Sequence, residues 1–181
     1  YGMLAYTYAR GKSLEAGFKY LILSATASAT MLMGMALIYS NTGTLSFRQI
    51  GMAIVPMFQN GMIMPILVVG TALMLFGIAF KLSAVPFHTW TSDVYQGAPA
   101  PVATFLGSVS KVAMMALGLR FLLSTATLAL PAINTLIVVI ASLSMIIGNI
   151  LALRQQNIKR LLAYSSIAHI GYVLAIVSAV K

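Results

Sequence analysis

The sequence predicts an all-α fold: a polytopic bundle of transmembrane helices in which one helix is interrupted. Three observations predict it. Of 181 residues, 60% are hydrophobic and 7% charged, with mean hydropathy +0.97, whereas a soluble domain carries about 25% charged residues. The apolar residues fall in runs long enough to cross a hydrocarbon layer, which takes about 20 residues. Most of the basic residues gather in the short connections between those runs, where loop anchoring needs them.

The elements follow in order. A partial span ends near Ala9, and the next covers 14–39, stopping at the turn-like SNTGT. A connector over 40–60 carries Arg48. The third stretch, 61–95, is too long for one straight crossing of about 20 residues. It contains Gly77, Ser83 and Pro86. Proline removes a backbone donor and clashes with the preceding turn, so an interruption is predicted between Lys81 and Pro86. Further spans cover 101–123, 132–153 and 161–180. The short loops predict antiparallel neighbours in a single transmembrane domain, 1–181. The opening YGMLAYTYAR reads as the tail of a span already in progress, so the chain is expected to be an internal piece of a larger protein.

Charge sets orientation and narrows function. Two acids, Glu15 and Asp93, oppose eleven Lys and Arg. In a soluble protein that balance would suggest nucleic acid, but here the basic residues flank spans. Arg10, Lys12, Arg154, Lys159 and Arg160 are predicted on one side, and Arg48, Arg120 and Lys181 on the other. Five against three favours the first side as cytoplasmic. Cysteine is absent, which excludes disulfides, thiolate metal sites and iron–sulfur clusters from this chain. There is no glycine-rich nucleotide loop and no catalytic serine motif.

The chemistry must then lie in ionisable residues at membrane depth. Lys111 is the only one in the run VATFLGSVSKVAMMALGL. About nine residues flank it on each side, roughly 13 Å at 1.5 Å per residue, too far for a lysine stem to reach water. A charge there costs about 2.5–3.5 kcal/mol, so an ion or proton pathway is the first reading; a lysine paired structurally with a helix outside the chain is the other. Lys81 reads either as a snorkelling lysine at a helix end or, beside the interruption, as a residue lining a polar cavity. His88, in PFHTW, reads as an interfacial residue beside Trp90 in an aromatic belt, or as a secondary polar site. Ser165, His169 and Tyr172 share one helical face, the surroundings that a proton-carrying histidine needs. A neutral histidine in an interhelical hydrogen bond fits the same spacing. Glu15 and Lys19 form an i,i+4 pair in the favourable order, stabilising a helix start. The twelve methionines read as packing or lipid-facing residues.

Longer strings carry a resemblance. FKLSAVPFHTWTSDVYQGAPAPVATFLGSVSKVA, SLEAGFKYLILSA and NIKRLLAYSSIAHIGYVLA resemble, in order, blocks of the subunit N family of bacterial NADH-quinone oxidoreductase, respiratory complex I. The wider family includes the Mrp-type cation/proton antiporters, which match these strings less closely. The resemblance implies an antiporter-like subunit of about fourteen spans, each of about 20 residues, of which this chain is the part from the end of the fifth to the tenth. It implies that Lys81 and Lys111 are central proton-path residues, that His169 continues the path, that the seventh helix is the interrupted one, and that Glu15 and Lys19 match a charged pair of the sixth. The fifth-helix glutamate and the twelfth-helix lysine of the family would lie outside this chain.

The function expected is proton translocation coupled to quinone reduction elsewhere in the complex. No cofactor is expected in this chain; NADH, FMN, iron–sulfur clusters and quinone would reside in other subunits. The expected partners are other membrane-arm subunits of complex I, the lipid bilayer and, indirectly, the quinone pool, with no nucleic acid. The expected location is the bacterial inner membrane, ahead of the mitochondrial one. One alternative is a passive scaffold of the membrane arm, in which Lys111 would rest against a fixed acid. Another is an Mrp-type antiporter subunit, which calls for oxygen-rich ion coordination near the broken helix.

Overall fold

The computed structural model describes residues 2–4, 11–59, 65–125, 127–129 and 131–179. The partial span ending near Ala9, the connector end at Asn60, the start of the third stretch at Gly61, and Arg10 and Lys181 lie outside them, as does the side chain of Lys12. The described residues are helical, with no strand among them. Five segments are long and apolar enough to cross a membrane: Ser13–Thr42, Pro65–Leu82, Ala100–Ser124, Pro131–Leu153 and Ile158–Ala179. They match the five full spans expected.

The first crossing is α1 (Gly11–Thr42), and it lies antiparallel to α3 (Pro65–Leu82). Small residues let these two backbones meet. A Cβ on Gly34 would come within 2.6 Å of the Gly70 carbonyl oxygen, and one on Gly77 within 2.5 Å of Met31 Cβ. Without a hydrophobic force between helices in lipid, such close approach is what holds them. The final pair, α7 (Pro131–Leu153) and α8 (Ile158–Ala179), uses the same device, with Gly148 against Ala168 and Gly171 against Ala141 and Met145.

The connector expected over 40–60 holds a helix, α2 (Phe47–Gln59). Phe47, Ile50 and Ile54 recur at helical spacing, and Ile50 and Ile54 are buried while Arg48 and Gln49 face outward. At 13 residues it is too short to span. It packs across the end of the third crossing, Phe47 against Phe121 with ring centroids 5.5 Å apart.

That third crossing is not straight. It consists of α5 (Ala100–Gly107) and α6 (Val109–Ser124), separated at Ser108, which sits at φ −110°, ψ −78°. Ser108 Oγ donates to the Thr104 carbonyl at 2.7 Å. The signal for this kink is the Gly107–Ser108 pair, a known cause of helix bends that the span's apolar pattern conceals.

The glycine seam between α1 and α3 yields a stability prediction. Gly34→Leu puts a branched side chain against Gly70 and Met74 backbone and is expected to destabilise the subunit by about 1–3 kcal/mol. Thermal unfolding of the detergent-solubilised full-length subunit would show it, with Gly2→Ala, where an added Cβ meets nothing within 4 Å, as the comparison.

Candidate functional site

The interruption lies where Ser83 and Pro86 place it. Helix α3 ends at Leu82, and α4 (Thr89–Gly97) resumes after a six-residue gap in regular helix. Ser83 adopts φ 62°, the left-handed conformation usual for glycine at a helix C-terminus. Its N–H bonds the Phe80 carbonyl at 3.0 Å, and the Ala84 N–H bonds the Ala79 carbonyl at 2.9 Å, which closes the helix end as a Schellman motif. The remaining polar backbone is met from outside. The Val85 N–H reaches Ser144 Oγ on α7 at 3.0 Å, and Trp90 Nε1 donates to the Phe80 carbonyl at 3.3 Å. Irregular backbone at membrane depth survives on such partners.

Lys81 occupies the last turn before the break, half-buried, its ammonium 5.9 Å from the centroid of the Tyr20 ring on α1. Tyr20 in turn lies on Trp90, centroids 5.0 Å apart. Trp90 is only 4% exposed. This corrects the aromatic-belt reading of the PFHTW segment: the indole is a core residue that braces the break. His88 beside it is partly buried, and its Nδ1 has no hydrogen-bond partner among the described residues.

Lys111 is 4% exposed and lies three residues past the Ser108 kink. Its Nζ donates to Ser166 Oγ on α8 at 2.8 Å and sits 5.9 Å from the Tyr95 ring centroid on α4. Ser166 passes its own hydrogen to the Ala163 carbonyl at 2.7 Å. No carboxylate pairs with Lys111 among the described residues. A cleft of about 330 Å³ opens beside it, lined in part by Tyr95, Thr104, Ser108, Lys159 and Ser166.

The two acids meet elsewhere, at one end of the bundle. Lys19 Nζ lies 2.6 Å from Glu15 and 3.2 Å from Asp93, and Arg160 reaches Asp93 at 3.1 Å. Arg160 also donates to Gln96 at 3.0 Å, and Lys159 to the Ala98 carbonyl at 2.7 Å. Asp93 on α4 thus ties α1 to α8. These contacts put Lys159 and Arg160 on the same side as the start of α1, as the loop charges predicted. The helix-start role read for Glu15 and Lys19 is incomplete without Asp93 and Arg160, which are distant in sequence.

His169 is placed differently from the lysines. It lies on an exposed face of α8, its ring 6.2 Å from Tyr172, whose Oη accepts from Asn149 Nδ2 at 3.1 Å. The described helices bring Ser166, not His169, to Lys111. Tyr20, Tyr95 and Ser166 are the site residues that sequence reasoning missed. Nothing in their local pattern marks them, because their roles arise from contacts between helices.

A model of the NADH:quinone oxidoreductase/Mrp antiporter transmembrane family matches residues 1–181. NADH-quinone oxidoreductase subunit N of Psychrobacter arcticus is 61% identical over 177 residues, covering 98% of this chain and 35% of that protein. Subunit N of Acinetobacter baumannii is 54% identical, covering 96% and 34%. The chain therefore spans 35% or less of the length of these two relatives. Among solved structures, a chain of respiratory complex I from Thermus thermophilus with bound aureothin is similar with TM-score 0.77 at 40% identity, over 94% of this chain and 35% of that one. A chain of the Mrp complex from Dietzia is similar with TM-score 0.82 at 26% identity, over 92% and 30%.

Two substitutions test how the site is held. Ser144→Ala removes the partner of the Val85 N–H and is expected to cost about 1–3 kcal/mol, the desolvation of an unmet buried amide. Asp93→Asn removes the charge shared by Lys19 and Arg160, both partly exposed, so its cost is expected at or below about 1 kcal/mol per pair and to shrink in high salt. Thermal unfolding at low and high ionic strength separates the two: the first loss is insensitive to salt, the second is not.

Proposed function

We propose that this chain, which belongs to the NADH:quinone oxidoreductase/Mrp antiporter transmembrane family, forms part of a proton-translocating membrane subunit of NADH-quinone oxidoreductase. The observation that carries this reading is Lys111. It is nearly fully buried, 11 residues inside the 25-residue crossing that begins at Ala100, and its ammonium has a hydroxyl and an aromatic ring for company rather than a carboxylate. A carboxylate would pin the charge in place, as a scaffold requires. A hydroxyl and a ring hold the ammonium while leaving its proton exchangeable, as a relay requires.

Lys81 and Lys111 are the two central groups. Each lies beside an irregularity in its helix, Lys81 at the break and Lys111 after the kink, where backbone departs from apolar packing. A charge on one opposes a charge on the other, so their protonation is coupled. His169, on the exposed face of α8, continues the path toward the rest of the subunit. Glu15, Lys19 and Asp93 set the charge at one end, and His88 flanks the break. NADH oxidation, with FMN, iron–sulfur clusters and quinone, belongs to other subunits, and its energy reaches this chain as displaced charge. The partners are the other membrane-arm subunits, in a bacterial inner membrane.

The Mrp-type reading is the weaker one. Sodium binding wants several hard oxygens, yet both acids of the chain sit in the cluster at one end rather than beside the break. The identity figures point the same way, 61% to a subunit N against 26% to the Mrp chain.

In the assembled complex, Lys111→Met is expected to leave subunit content and peripheral NADH oxidation intact and to cut proton pumping by at least about tenfold, the scale of losing a proton-transfer group. Lys111→Arg is expected to impair pumping as well, since arginine does not release its proton. Dye quenching in membrane vesicles measures it; normal pumping by Lys111→Met in normally assembled complex would overturn the relay.

A further inference from the structure

Lys111 rests on a tyrosine whose ring and hydroxyl do different things. Tyr95 is 5% exposed, and its ring faces the Lys111 ammonium at 5.9 Å. Its Oη is buried facing Ser166 but makes no close hydrogen bond among the described residues. A phenol left so is costly unless something answers it. The chain makes room for this hydroxyl: a Cβ at position 107 would come within 2.9 Å of it, so Gly107, just before the Ser108 kink, is the residue that lets it in. Tyr95 and Ser166, the acceptor of the Lys111 hydrogen bond, line the same 330 Å³ cleft. A volume of that size admits several waters, at roughly 30 Å³ each in the liquid.

We infer that Tyr95 is the positioning residue of Lys111: its ring seats the charged ammonium and its hydroxyl anchors the cleft water with which Lys111 exchanges a proton. The inference rests on the relay reading above and names the point where solvent meets that relay. In the exchange, an Nζ–H bond breaks and an O–H bond forms on the anchored water. The positive charge leaves with the hydronium, and neutral Lys111 keeps its place by the bond to Ser166. The return step reverses each change.

The groups facing Lys111 are few. From α4 comes Tyr95 and from α8 Ser166, with Lys159 at the same cleft, its ammonium held by the Ala98 carbonyl. From α5 and the kink come Thr104 and Ser108, neither titratable. The charged side chain of α3, Lys81, is seated on Tyr20 instead. Tyr95 is therefore the group through which the ammonium of Lys111 is held electrostatically.

The test uses the full-length subunit in assembled complex, with Tyr95→Phe, Tyr95→Leu and Lys111→Met compared for subunit content and for the pH profile of proton pumping. Tyr95→Phe keeps the ring, so the alkaline limb of the profile is expected to stay in place while the rate falls by up to about tenfold, since a second water replaces the hydroxyl only in part. Tyr95→Leu removes the ring that favours the ammonium, so the proton leaves at lower pH and the alkaline limb is expected to move down by about one pH unit. Wild-type rate and profile in both tyrosine variants would overturn the inference, as would equal rate losses with neither profile displaced, which is the signature of packing alone. Lys111→Met keeps this separate from the underlying reading. If it pumps normally, the relay itself fails; if it does not, while both tyrosine variants behave as wild type, only the role of Tyr95 fails.

Discussion

The structure depends on one constraint: a helix that stops and restarts inside an apolar bundle must satisfy every polar backbone group it frees. Each such group in lipid costs several kcal/mol if left bare. Between Leu82 and Thr89 the answers come from three directions. The chain closes its own helix end through Ser83 and Ala84, α7 contributes Ser144, and the indole of Trp90 caps the Phe80 carbonyl. These answers fix what surrounds them. Trp90 must be buried, and Tyr20 and Phe80 pack on its ring. Helix α7 must lie close enough for Ser144 to reach. Lys81, one residue before the end of α3, inherits its position over Tyr20 from this arrangement.

Charge placement follows a second economy. With two acids in the chain, the structure commits both to the end of the bundle, where Asp93 joins α1, α4 and α8 through Lys19 and Arg160. Those groups are partly exposed, so their worth lies in orientation more than in energy. The consequence falls on the interior. No acid remains to neutralise Lys111 among the described residues, and its contacts are instead the Ser166 hydroxyl and the Tyr95 ring. The ion pairs orient the end of the bundle, while the ammonium of Lys111 in the middle has no carboxylate beside it among the described residues.

The two backbone irregularities are of different kinds and serve different lysines. The break after Lys81 is wide and exposes backbone that other helices must meet. The kink before Lys111 is narrow, a single residue whose hydroxyl bonds back to its own helix. Beside it Gly107 leaves open the space of the Tyr95 hydroxyl, which a Cβ there would approach to 2.9 Å. Each lies within one helical turn of a lysine, Lys81 before the break and Lys111 after the kink.

The sequence by itself determined the membrane class, the five crossings, the interruption between Lys81 and Pro86 and the depth of Lys111, because each rests on local chemistry: run length, proline geometry, and the distance of a charge from water. It also determined the Glu15–Lys19 pair, an i,i+4 neighbour relation. Helix α2 and the Ser108 kink were legible in part, through the spacing of Phe47, Ile50 and Ile54 and through the Gly107–Ser108 pair, but long apolar runs outweigh such short signals. Only the tertiary structure decided which groups meet. Trp90 is a core brace rather than a belt residue, Asp93 is shared by helices 74 and 67 residues away in sequence, Ser166 is the hydrogen-bond partner of Lys111, and the rings of Tyr20 and Tyr95 lie against the two lysines. These are relations between helices, and hydrophobic periodicity says which face of a helix is apolar without saying which neighbour will lie against it.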